Sequence, residues 1–100
     1  MNIVFEYNSD VSASSRLENH TKEKLEFLEN KYDFIDRADV FFKLEKNTEH
    51  DGYVSSIRLS VPGPRLFASS GGDSYVNSIN QCIRELSVQL EKKKSKMATH

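Results

Sequence analysis

"ADVFFKLEK", residues 38–46, alternates in side-chain character. Ala38, Val40, Phe42 and Leu44 fall on one side, and Asp39, Phe41, Lys43 and Glu45 on the other. A period of two with the apolar members together predicts a strand with one buried face. Downstream, "NTEHDG" (47–52) is polar and ends in Asp51-Gly52, a turn signal. "YVSSIRLSV" (53–61) then alternates again, with Ile57, Leu59 and Val61 inward and Ser56, Arg58 and Ser60 outward. The two runs read as an antiparallel hairpin. Pro62-Gly63-Pro64 ends the second run, because neither proline can donate to a ladder, and "RLFASS" (65–70) reads as a short further strand.

Outward from this hairpin the period changes. "NIVFEY" (2–7) puts Ile3, Phe5 and Tyr7 on one side of an extended segment. "NSDVSASS" (8–15) is turn chemistry and prepares a helix. Ser15 and Glu18 have capping-box spacing, with Ser12 and Ser14 as alternative caps. Leu17, Thr21, Leu25, Leu28 and Tyr32 then recur at spacings of three and four, one apolar stripe of a helix running to about Tyr32. "GGDSY" (71–75) opens a last helix with Asp73 or Ser74 as cap, and Val76, Ile79, Ile83, Leu86 and Leu90 form its stripe. That stripe stops near Leu90 while helix-forming residues continue. The end of this helix is therefore expected to overhang the sheet.

The order β-α-β-β-β-α predicts an α+β sandwich: one four-stranded sheet with both helices packed on one face. The first β-α-β unit places its strands parallel and the rest are antiparallel. One hundred residues suit a single domain, taken as 1–97 with a short tail at 98–100. No apolar run approaches the ~20 residues of a membrane span. The N-terminus lacks the features of a signal peptide, and Cys82 is the lone cysteine; both point to a reducing cytoplasm.

Signals for catalysis are weak. His20, His50 and His100 show no metal-ligand spacing, and Cys82 falls on or beside the apolar stripe, where it reads as a small core residue. "SSGGDSY" superficially resembles a phosphate cradle, but it lacks a lysine and Asp73 would repel an anion, so a capped strand-to-helix turn is the simpler reading.

Charge distribution is more informative than its sum. The net charge is −1, yet Lys92, Lys93, Lys94 and Lys96 crowd the end of the chain. Lysines at a helix C-terminus complement the macrodipole and need no further role. As phosphate ligands, however, Lys92, Lys93 and Lys96 span more than one helix face. Arg84 lies near the same face, and Lys24 would flank it if the helices pack side by side.

Four stretches carry a family resemblance: "KLEFLENKYDFI" (24–35), "FFKLEK" (41–46), "VPGPRLFASS" (61–70) and "GDSYVNSINQCIRELSVQLEKKKSK" (72–96). In this order and spacing they resemble the ribosome hibernation promoting factors, ribosome-associated translation inhibitors of stationary phase. The resemblance spans about Asn2 to Met97. It implies a fold like the double-stranded RNA-binding domain with an added first strand. It also implies binding of the small ribosomal subunit and its rRNA, in the channel of mRNA and the A- and P-site tRNAs, during stationary phase or stress. No enzyme activity, cofactor, small-molecule substrate or membrane partner is implied, and the chain resembles the short form, monomeric off the ribosome.

By the same resemblance, rRNA contacts fall on Lys24, Lys92, Lys94 and Lys96, with Lys43 and Lys46 at matching strand positions. Glu85, Val88 and Phe27 stand where relatives carry basic residues. Lys22, Lys31 and Arg84 are the neighbours that would compensate. The replaced positions and the acidic total motivate an alternative, a non-ribosomal protein-interaction or regulatory module on the same fold.

Overall fold

The computed structural model describes residues 1–46 and 52–98. Its elements are β1 (Asn2–Tyr7), α1 (Ser15–Lys31), β2 (Arg37–Leu44), β3 (Tyr53–Ser60), β4 (Leu66–Gly72) and α2 (Tyr75–Ala98). The sheet has the order β1-β2-β3-β4. β1 pairs parallel to β2, with Phe5 opposite Val40, while β2–β3 and β3–β4 are antiparallel, with Val40 opposite Ile57 and Ile57 opposite Ala68. The expected β-α-β-β-β-α architecture is therefore present. The turn read at 47–51 lies outside the described residues, as do His50 and His100.

The core lies between the sheet and the helices. Ala38, Val40, Phe42, Ile57, Leu59 and Ala68 bury one sheet face. Leu17, Thr21, Leu25, Leu28 and Tyr32 close it from α1, as their spacing predicts. On α2 the buried line is Ile79, Cys82, Leu86 and Leu90; Val76 is 42% exposed and Ile83 only half-buried. Cys82 thus sits on the stripe itself, against β3, where its Sγ donates to the Ser55 carbonyl at 3.3 Å. Next to it the Ser55 and Ser78 hydroxyls bond each other at 2.6 Å, which satisfies two buried polar groups at once.

Three local readings are corrected. Ser14, not Ser15, caps α1: its Oγ accepts the Leu17 N–H at 3.2 Å. This puts Glu18 one residue past the capping-box position, and its carboxylate accepts from the Tyr7 hydroxyl at 2.7 Å instead. Gly71 and Gly72 belong to β4 rather than to the helix start, because they complete the ladder opposite Val54 and Tyr53. Finally, Asp39 is buried although it lies on the outward side of β2. Arg37 Nε donates to its Oδ1 at 3.0 Å and Arg58, opposite on β3, stands 3.5 Å from Oδ2. Their hydrogen bonds and charges hold the Asp39 carboxyl below its usual range against the cost of burial.

α2 has 24 residues and spans about 36 Å, whereas the seven residues of β4 cover only about 23 Å. The last turns of α2, with their lysines, therefore project beyond the sheet. No described helix is long and apolar enough to cross a membrane.

Candidate nucleic-acid interface

The two helices run parallel, and their cross-links advance together along both. His20 Nε2 hydrogen-bonds Asn80 Oδ1 at 2.9 Å, and Tyr32 at the end of α1 donates its hydroxyl to Glu91 Oε2 at 2.6 Å. Between these ties and at the far one the groove presents cations from both sides.

The first pair is Lys24 and Arg84, which with Asn80 and Ile83 line a hollow of 210 Å³ between the helices. The sequence expectation that Lys24 flanks Arg84 is met by this packing. The second pair is Lys31 and Lys94. Their Nζ atoms lie 5.5 Å and 5.7 Å from the Tyr32 ring centroid, so one buried aromatic ring positions both ammonium groups. Glu91 sits between them. The Tyr32 hydrogen bond, and then the charges of Lys31 and Lys94, hold its carboxyl below the usual range, while the same bond pushes the Tyr32 phenol up to about 12.

A third group gathers where α2 overhangs the β3–β4 turn. Lys92, Lys93 and Lys96 line a hollow of 350 Å³ with Pro64 and Gln89. Gln89 Nε2 fixes the helix to the edge strand through the Phe67 carbonyl at 2.9 Å. Gly63 takes φ +86°, a left-handed conformation suited to glycine, and any Cβ there would come within 3.3 Å of Lys93 Nζ. Arg65, next to Pro64, is an exposed cation that sequence reasoning passed over.

Three of the candidate residues lie elsewhere. Lys22 stands on the other flank of α1, with Nζ 5.8 Å from the Phe5 ring on β1. Lys43 is on the open face of the sheet and pairs with Glu45 at 3.1 Å; Lys46 pairs with Asp10 at 3.5 Å. A hollow of 520 Å³ on that open face, lined by Glu6, Phe41, Lys43, Ser56 and Phe67 among others, brings together no second cation among the described residues. Sequence reasoning also missed Tyr32, Asn80 and Gln89, the side chains that position the basic groups. Tyr32 was legible only as the end of an apolar stripe.

The other sequence motifs resolve into structure. At the start of α2, Ser74 Oγ accepts the Asn77 N–H at 3.1 Å and Asp73 accepts from the Asn77 side chain, the capped turn that was expected. Cys82 is wholly buried, and burial pushes its thiol up to about 12, far from a thiolate nucleophile. Among the described residues no cluster of His, Cys, Asp and Glu side chains could hold a metal ion.

The profile of the Sigma 54 modulation protein / S30EA ribosomal protein family matches residues 5–98, and the chain belongs to that family. Among solved structures, it is similar to a ribosomal subunit interface protein from Coxiella burnetii, with a TM-score of 0.83 and 22% identity over 95% of this chain and 99% of that one. It is also similar to the N-terminal domain of Protein Y from Thermus thermophilus, with a TM-score of 0.77 and 17% identity over 92% and 98% of the two chains. At these identities the two structures establish the shared fold. No curated protein sequence matches the chain.

Proposed function

We propose that this protein binds the small ribosomal subunit through the two-helix face and holds it out of translation under stress or in stationary phase. Its ligand is rRNA in the channel that mRNA and the A- and P-site tRNAs occupy, its compartment is the cytoplasm, and it catalyses no reaction. Family membership supports the ribosome as partner. The observation that carries the reading is the arrangement of cations: Lys24 with Arg84, Lys31 with Lys94, and Lys92, Lys93 and Lys96 over the β3–β4 turn.

Lys24 with Arg84 stands about 15 Å along α2 from the other two groups, which share its last turns on different sides, so a polyanion can be met at several points although the net charge is −1. Local potential within about a Debye length of ~8–10 Å governs such contacts, not the total charge. Each phosphate engaged contributes roughly 0.7–0.9 to the slope of log affinity against log salt.

Sedimentation of the protein with purified small subunits across a salt series tests the reading. Co-sedimentation should fade as salt rises and should be abolished when Lys92, Lys93, Lys94 and Lys96 are all changed to Glu. Undiminished binding by that variant would remove the role of the helix end. Recovery of a protein partner without rRNA from a stationary-phase lysate would instead support the interaction-module alternative.

A further inference from the structure

Phe27 is 68% exposed, and no hydrogen bond or ion pair can explain a phenyl ring in that setting. It lies three residues after Lys24 and four before Lys31, so all three share one flank of α1. That flank faces α2, since His20, four residues before Lys24, bonds Asn80 across the groove. Phe27 therefore stands between the Lys24–Arg84 pair and the Lys31–Lys94 pair. Lys24 and Lys31 are about 10 Å apart along the helix axis. Across the groove, Val88 follows Arg84 by one turn and is 55% exposed, so the middle of the face is apolar; the Lys24–Arg84 end carries two positive charges and the Lys31–Lys94 end, with Glu91 on Tyr32, a net of one.

An exposed ring flanked on both sides by cations matches a nucleotide, whose base is flat and apolar on its faces and whose phosphates lie to either side. An unpaired base can stack on an aromatic ring, whereas a base inside a duplex has both faces occupied. We propose that Phe27 takes an unpaired nucleobase of the RNA strand whose phosphates are held by Lys24 with Arg84 and by Lys31 with Lys94. The proposal rests on the two-helix face being the RNA-binding face. It adds that this face selects single-stranded or bulged RNA over regular duplex, and that part of the affinity is insensitive to salt.

The test compares the full chain with Phe27→Ala, Phe27→Leu and Phe27→Trp. Each is titrated against purified small subunits and against a single-stranded oligoadenylate and its duplex with oligouridylate. Because Phe27 is exposed, all variants should keep the parent thermal midpoint. Phe27→Ala and Phe27→Leu should both bind subunits and single strand about 10- to 100-fold more weakly, with the salt slope unchanged. Phe27→Trp should retain affinity, and its fluorescence should be quenched by the single strand and not by the duplex.

Phe27→Leu binding as well as the parent chain would show an apolar contact rather than stacking and would overturn the proposal, as would parental affinity in Phe27→Ala. These outcomes leave the RNA-binding reading of the face intact. Failure of the unmodified chain to bind either subunits or oligonucleotide would instead overturn that reading and the proposal with it.

Discussion

Tyr32 and Glu91 meet across 59 positions of sequence: the phenol at the end of α1 donates a 2.6 Å hydrogen bond to the carboxylate on the overhanging part of α2. The pair does two things. It ties the ends of the helices together, and it places Lys31 and Lys94 on one ring.

The Tyr32 phenol should ionise late. Its hydrogen bond to Glu91, then burial and the Glu91 charge, push it from 10.0 to about 12. A folded-state pKa above the unfolded value gives stability that is fully present below about pH 10 and is lost as pH rises from there to about 12. Spectrophotometric titration of the four tyrosines should therefore show a late component that moves to lower pH in Glu91→Gln. An unmoved late component would mean that the Glu91 hydrogen bond is not what delays it.

Capping of α1 gives a contrast between adjacent residues. Ser14→Ala should cost about 1 kcal/mol, because Ser14 Oγ satisfies the Leu17 N–H. Ser15→Ala should be within about 0.5 kcal/mol of neutral, since Ser15 is exposed at the first helical position. Urea unfolding of the two variants reads the difference directly.

The elements themselves were legible because each depends on a local period: alternation in 38–45 and 53–61, and threes and fours in both helices. The overhang of α2 was legible too, since its apolar stripe stops at Leu90 while the helix formers continue. Partner-dependent features were not legible. Gly71 and Gly72 are poor strand formers, and only their pairing with Val54 and Tyr53 keeps them in β4. Asp39 reads as solvent-facing until Arg37 and Arg58 are seen around it. The separation of Lys22 from Lys24 depends on which flank of α1 meets α2, and no residue on α1 alone says so.

Asp39 should matter for stability in a pH-dependent way. Asp39→Ala removes the acceptor of both arginines and should cost about 1–3 kcal/mol at pH 7. Because the folded carboxyl titrates below its ordinary 3.8, its contribution is complete above that value and is lost as pH falls through the lower folded value. The gap between parent and variant in urea midpoint should therefore close in acid. A gap that persists unchanged at the lowest pH where both still fold would mean that the loss is one of packing.

Cys82 should behave as a core methyl-sized group. The native thiol should resist a maleimide and react fully once the chain is unfolded, as its complete burial dictates. Cys82→Ala should cost about 1 kcal/mol through a small cavity and leave subunit binding unchanged. Rapid labelling of the native protein would show that the α2–β3 contact opens far more often than its packing implies.

Lys22 and Lys24 are two residues apart on one exposed helix and carry the same charge, so they separate geometry from net charge. Lys24 faces Arg84 across the groove, whereas Lys22 reaches the Phe5 ring on the opposite flank. If the inter-helix groove holds phosphate, Lys24→Ala should weaken subunit binding and lower the salt slope by roughly 0.7–0.9. Lys22→Ala should do neither beyond the small change expected from removing one distant charge. Equal losses from both would mean that the protein is held by diffuse attraction to the whole of α1. A larger loss from Lys22 would move the interface to the β1 side of the helix layer.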